Sequence, residues 1–153
     1  MKIIAKSKKA YLNYDITDTY DCGIVLQWHE VKSIKTQHCN ISHAFSRIIG
    51  SELWIYNMDI PLYEKTAPQT VPGYDAQQNR KLLVKQKELA KISAAMDKKG
   101  IIPVPLTVYL DKRWRVKIKL WMGKLRKKVE KKQYLKEKSI DRQAKKDMKQ
   151  FMK

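Results

Sequence analysis

From Arg113 to Leu120 the sequence alternates without a break. Trp114, Val116, Ile118, Leu120 and Met122 fall on one side of an extended chain, and Arg113, Arg115, Lys117 and Lys119 on the other. A period of two marks a strand with one face in a core and one in water. The residues just before answer it: Ile102, Val104, Leu106, Val108 and Leu110 alternate as well, and Asp111-Lys112 supplies a turn. Pro103 and Pro105 cannot donate to a ladder, so the start of that strand belongs at a sheet edge or outside the pairing. The two runs predict an antiparallel hairpin with a buried face and a row of cations opposite it.

The rest of the chain extends this sheet. Residues 20–26 are rich in β-formers, and Gly23 within them signals a bulge or a close backbone approach. Phe45-Ser46-Arg47-Ile48-Ile49 and Glu52-Leu53-Trp54-Ile55-Tyr56 flank Gly50-Ser51 and read as a second hairpin with a two-residue turn. Residues 62–75 contain Pro68, Pro72 and Gly73 and read as a loop. From Asn79 the period becomes helical, with Leu82, Leu89, Ile92 and Met96 on one face and Gly100 as the stop. A helix between the third and fourth strands of an antiparallel meander is the element order of an oligonucleotide-binding barrel. The expected fold is therefore mainly β: an oligonucleotide-binding-like antiparallel barrel over residues 1–123, followed by a tail over 124–153.

Charge separates these two parts. Residues 112–153 hold 18 Lys and Arg against Glu130, Glu137, Asp141 and Asp147, whereas the first 111 residues are nearly balanced. A segment this cationic repels itself until a polyanion neutralises it, which points to nucleic acid first and an anionic membrane surface second. After Gly123 the chain has no Gly or Pro and is dense in Lys, Glu, Gln and Leu. Helix propensity is high there, and Ile140, Ala144, Met148 and then Phe151 or Met152 form a narrow apolar stripe. With so thin a stripe the free tail is expected to be frayed or disordered and to fold on a partner. The stripe lacks Trp, which weakens the lipid reading.

Other classes find little support. No apolar run approaches the roughly 20 residues of a membrane span, and the N-terminus returns to Lys6, Lys8 and Lys9 before any signal-peptide core develops. A cytoplasmic location is expected, with Cys22 and Cys39 as free packing thiols. His29, His38, Cys39 and His43 form a loose cluster without the spacing of a zinc site, and nothing suggests a catalytic nucleophile. No metal, cofactor or enzymatic activity is expected.

Several segments, taken together, resemble the SsrA-binding protein family, also called small protein B. They are Lys8-Lys9-Ala10 with Tyr14 and Ile16; Gly23-Ile24-Val25-Leu26-Gln27; Glu30-Val31-Lys32-Ser33-Ile34-Lys35; Asn57-Met58 with Ile60 and Tyr63-Glu64; Arg80-Lys81-Leu82-Leu83-Val84; Lys99-Gly100 with Pro105-Leu106; and Gly123-Lys124. They run in the family's order with nearly its spacing over essentially the whole chain. The resemblance implies a barrel that holds the tRNA-like domain of transfer-messenger RNA. It also implies a tail that becomes helical on the stalled ribosome, in the small-subunit decoding region and empty mRNA channel. Neither DNA nor membrane is a partner on this reading, and the protein acts as an adaptor in ribosome rescue. The alternative from composition is a structural ribosomal protein with a basic extension into ribosomal RNA.

Carried over by position, the resemblance places RNA contacts at Ser7, Lys8, Lys9, Asp21, Glu30, Lys32, Arg80, Lys81, Leu83 and Lys124. The cationic strand face adds Arg113, Arg115, Lys117 and Lys119, with Trp121 continuing it, as in groove-plus-stacking binders. Cations on a strand face can instead merely blunt an edge, and Asp21 or Glu30 can simply pair with a nearby Lys. For a folded RNA, phosphate and 2′-hydroxyl contacts are expected to dominate. In the tail the resemblance marks Glu130, Lys131, Lys132, Lys136, Lys138, Ile140, Met148 and Lys149 as ribosome-binding. The chain departs from the family pattern at Trp28, Cys22, Ser7 and Leu125, and Glu130-Lys131-Lys132 stands for the usual Asp-Lys-Arg.

Overall fold

The computed structural model describes residues 2–98, 100–125 and 128–151; for Tyr11, residues 128–131, Tyr134, Asp147 and residues 149–151 it describes the backbone only. The element order is β1 (Lys2–Lys6), α1 (Lys8–Asn13), β2 (Tyr14–Ile24), α2 (Trp28–Lys35), β3 (Phe45–Ile49), β4 (Glu52–Tyr56), a short 3-10 turn (Pro68–Thr70), β5 (Arg80–Leu83), α3 (Gln86–Met96), β6 (Ile101–Leu110), β7 (Val116–Leu125) and α4 (Lys128–Phe151). The seven strands form one sheet in the order β1-β6-β7-β2-β5-β4-β3. Every pairing is antiparallel. The sheet curls until β3 lies alongside β6, the mainly β, barrel-like architecture expected from the strand periodicity.

Alternation builds the core. Val116, Ile118, Leu120 and Met122 of β7 turn inward, joined by Val108 and Leu110 of β6, Leu53 and Ile55 of β4 and Leu82 of β5. Ile34 from α2 and Ile92 from α3 are sealed into the same cluster. Burying such side chains contributes about 1.5–3 kcal/mol each, so the two helices cap a core that the strands define. Cys22 and Cys39 are both free thiols, and burial pushes each up to about 12.

Local rules explain the turns and interruptions. Ile49 pairs with Glu52 across Gly50-Ser51, and Gly50 takes φ +62°, which a residue without a Cβ adopts freely. Gly23 marks a close approach: an added Cβ would stand 3.3 Å from the Cβ of Leu83. The bulge in β2 lies elsewhere, between Ile16 and Asp18. β6 pairs with β7 along its whole length and with β1 only from Thr107 to Leu110, so Pro103 and Pro105 sit in the half that pairs with β7 alone. The prolines thus occupy positions where one side of the ladder is open.

Four expectations require correction. Residues 80–83 form a strand, and the helix begins only at Gln86; Leu82 lies seven residues before Leu89, a spacing that suits a strand followed by a turn as well as two helical turns. The helix therefore falls between the fifth and sixth strands. Strand β1 and helices α1 and α2 lay in stretches without clear periodicity, and α2 is capped by Gln27, whose side chain and that of Glu30 form a capping box. Trp114 does not join the core, because β7 begins at Val116. Finally, β7 runs through Leu125, with Lys124 opposite Asp15 and Leu125 opposite Tyr14, so the sheet extends two residues past Gly123. The 24-residue helix α4 follows.

Candidate nucleic-acid interface

The outward face of the central strands carries the first group of predicted residues. Register places Lys119 between Thr107 of β6 and Asp21 of β2, and Lys117 between Tyr109 and Gly23. Both lysines are half-buried and Asp21 is exposed. The Tyr109 hydroxyl donates to Asp21 Oδ1 at 2.7 Å. Burial first, and then this carboxylate, push the phenol up from its ordinary value, so the hydroxyl keeps its proton and holds the acid in one orientation. A fixed carboxylate between lysines accepts hydrogen bonds from a base amino group or a 2′-hydroxyl, which phosphate-binding cations cannot do.

The β6–β7 connection supplies the second group. Asp111 Oδ1 accepts the backbone N–H groups of Arg113 and Arg115, each at 2.9 Å, and Oδ2 accepts Arg115 Nε at 2.9 Å. These bonds, the Arg115 backbone first, outweigh desolvation and hold the Asp111 carboxyl below the usual range. The turn forces Trp114 to φ +60° and leaves it 59% exposed. A bulky residue in the left-handed region is unusual, and such backbone tends to occur at functional sites. Trp114 lines a cleft of about 530 Å³ together with Leu26, Leu83 and Val116 and the cations Lys35, Arg113 and Lys117. Arg113 and Arg115 are thus in the turn rather than in register with Lys117 and Lys119, and the cleft gathers the cations instead.

Two predicted contacts are interior. Glu30 and Arg80 are 1% and 3% exposed and form a buried ion pair, so neither reaches a surface-bound RNA. The capping box on α2 fixes Glu30, and β5 delivers Arg80 beneath it. Arg80 also donates to the carbonyls of Met58 at 2.6 Å and Ala76 at 3.0 Å. Burial raises the Glu30 carboxyl, but the Gln27 N–H and the Arg80 guanidinium outweigh it and leave the pKa below normal. The Tyr74 hydroxyl, 2.7 Å from Ile60 O and 3.1 Å from Glu30 Oε2, is pushed up to about 12, by burial first and then by Glu30. His29 is sealed beside them, with Nε2 2.6 Å from Gln27 Oε1. This network secures the loop from residue 57 to 79 to α2.

The remaining predicted residues are dispersed. Ser7 is buried, and its N–H bonds to Leu106 O at 2.8 Å. Lys8 and Lys9 are exposed on α1, and Lys9 lines a separate cleft of about 310 Å³ with His43 and Phe45. Lys32 places Nζ 5.3 Å from the Trp28 ring centroid and 5.8 Å from that of Tyr63, a cation over aromatic faces. Lys81 pairs with Glu52 at 3.1 Å, both partly exposed. Leu83 is exposed at the cleft and Lys124 is exposed near the end of β7. On α4, Lys132, Lys136, Lys138, Ile140 and Met148 are exposed, whereas the side chains of Glu130, Lys131 and Lys149 lie outside the described residues. Sequence reasoning missed Tyr109 and Trp114. A bulky residue three positions past a turn aspartate was the one available signal for Trp114.

A curled antiparallel sheet with a mixed cationic, acidic and aromatic outer face, followed by a long basic helix, defines a small β-sheet protein built to bind a polyanion. Among the described residues no helix is long and apolar enough to cross a membrane. The family model described as SmpB protein matches residues 4–150. The chain is 38% identical to the SsrA-binding protein of Coprothermobacter proteolyticus over 147 residues, covering 96% of this chain and 97% of that one. It is 36% identical to that of Thermosynechococcus vestitus, covering 98% and 97%, and 39% identical to that of Bacillus cereus strain G9842, covering 93% and 89%. A chain in the solved structure described as "tmRNA-SmpB: a journey to the center of the bacterial ribosome" superposes with a TM-score of 0.66 at 31% identity, covering 81% of this chain and 85% of that one. This chain belongs to the SmpB family of SsrA-binding proteins.

Proposed function

We propose that this protein binds the tRNA-like domain of transfer-messenger RNA and delivers it to stalled ribosomes in the bacterial cytoplasm, acting by binding rather than by catalysis. The observation that carries the reading is the joining of an outward sheet face, with Asp21, Lys117, Lys119 and the Trp114 cleft, to a cationic helix of 24 residues. The names of its relatives and the ribosome complex of its structural neighbour support it. Phosphate contacts supply affinity through counterion release. Asp21 and the aromatic residues orient the RNA. The helix α4 then occupies an mRNA channel that is empty, with Lys132, Lys136 and Lys138 toward ribosomal RNA and Ile140 and Met148 toward a groove.

On this reading the functional division falls after Leu125, where β7 ends. A chain cut there is expected to keep its affinity for a tRNA-like-domain transcript within about threefold in a gel shift, because the contacts on the sheet persist. It is expected to lose peptidyl transfer to transfer-messenger RNA on ribosomes stalled on a truncated message. Equal loss in both assays by a chain with a native circular dichroism spectrum refutes the division of labour.

A further inference from the structure

We propose that the outer face of β3, β4 and β5 is a second RNA contact, which takes a short unpaired stretch by stacking. The proposal rests on the RNA-binding reading above and extends it to a surface that neither the face around Asp21 and Trp114 nor the tail explains.

Alternation sets the face. Leu53 and Ile55 are buried, so Glu52, Trp54 and Tyr56 turn outward. Register then places Arg47 of β3 directly opposite Trp54 on one side and Lys81 of β5 directly opposite it on the other. Two pairs further along, on the same face, Phe45 and Tyr56 stack with ring centroids 5.1 Å apart and planes 8° apart. Arg47 Cζ lies 5.3 Å from the Phe45 centroid. Arg47 is exposed, and Phe45, Trp54, Tyr56 and Lys81 are partly so.

Cross-strand aromatic pairs by themselves stabilise a sheet. A tryptophan between two cations needs a further reason, because the cations repel one another across it and Glu52 answers only Lys81. A ligand that is both flat and anionic satisfies all three groups. A nucleotide is such a ligand, and an unpaired one offers its base face as a duplex does not. The surface is also continuous with the first interface. Leu83, two residues beyond Lys81 on the same side of β5, lines the Trp114 cleft. At the other end Phe45 lines the cleft that contains Lys9. A strand leaving the first site therefore crosses this row.

The test uses the full-length protein and two labelled probes, octauridylate and an abasic phosphodiester chain of the same length, in fluorescence anisotropy at fixed salt. The parent is expected to prefer octauridylate by about tenfold. Trp54→Leu should remove that preference and Trp54→Phe should retain most of it. Arg47→Glu, at an exposed position, should weaken octauridylate binding by about fivefold beyond the loss caused by the charge-matched tail variant Lys145→Glu. Absence of a base preference in the parent, its persistence in Trp54→Leu, or equal losses in Arg47→Glu and Lys145→Glu would overturn the proposal, the first pointing to a protein partner for this face. A tRNA-like-domain transcript measured in parallel separates the readings: its failure to bind the parent sinks the proposed function, while loss of the octauridylate pattern alone sinks only this inference.

Discussion

Arg80 donates its Nε–H to Glu30 Oε2 at 2.6 Å, joining a strand to a helix 50 residues earlier in the chain with both side chains sealed from water. Removing one partner of such a pair leaves an uncompensated buried charge, so Glu30→Ala is expected to cost about 3–5 kcal/mol in chemical denaturation. Exchanging both residues for apolar ones of similar volume should recover much of that. The depressed pKa of Glu30 fixes the sign of the pH effect. Its contribution is fully present above the ordinary value of 4.5 and is lost as pH falls through the lower folded value. Glu30→Gln should therefore flatten the fall in melting temperature below pH 4.5, and an unchanged acid limb would show that other groups set it.

Asp21 separates recognition from simple charge. If the interface were only a cationic surface, deleting this carboxylate would strengthen RNA binding. Held by Tyr109 at 2.7 Å, it accepts hydrogen bonds instead, so Asp21→Ala should weaken binding of the tRNA-like domain by about tenfold, the worth of one charge-assisted bond. Tyr109→Phe should produce a smaller loss in the same direction. Filter binding at constant ionic strength decides it, and a gain in affinity would remove Asp21 from the site.

Trp114 carries backbone strain that a glycine would relieve. At φ +60° a side chain costs on the order of 1 kcal/mol, and this ring is exposed, so it returns little packing energy. Trp114→Gly is expected to hold or raise the melting temperature while weakening RNA binding several-fold, about 1 kcal/mol for a lost stacking surface. Loss of both properties together would make the tryptophan a structural residue.

The same residue shows where the sequence is legible and where it is not. Alternation gave the inward residues of β7 correctly, from Val116 to Met122, and those of β6 at Val108 and Leu110, because burial of one strand face depends only on a period of two. It failed earlier in β6, where the register shifts between Pro105 and Thr107 and Val104, opposite Trp121, packs with Leu106 and Ala10 in a separate cluster. Trp114 obeyed that period and still left the core, because the Asp111 carboxylate bonds to two backbone N–H groups and turns the chain before the strand begins. Arg80 and Glu30 read as surface charges because each is ordinarily exposed; only the meeting of α2 with β5, set by the sheet order, buries them together. Asp21 and Lys119 were both found in the sequence, but their cross-strand pairing depends on a bulge between Ile16 and Asp18 that no local signal announced.

The apolar stripe of α4 stands apart from the core. Ile140 and Met148 are 59% and 66% exposed, and Ala144 between them is exposed too. An apolar residue this exposed contributes little to its own protein's stability, so Ile140→Glu and Met148→Glu should leave the melting temperature of the isolated chain within about a degree, as surface changes generally do. Binding of the tRNA-like domain should also persist, since the interface proposed for it lies on the sheet. Rescue of stalled ribosomes should fall by at least about tenfold, because the stripe is the part of the helix that a channel wall desolvates and a buried carboxylate there is costly. Lys145→Glu reverses a charge on the same helix without touching the stripe, and a fall as large as that of Ile140→Glu would mean that α4 acts as a cationic brush with no preferred face.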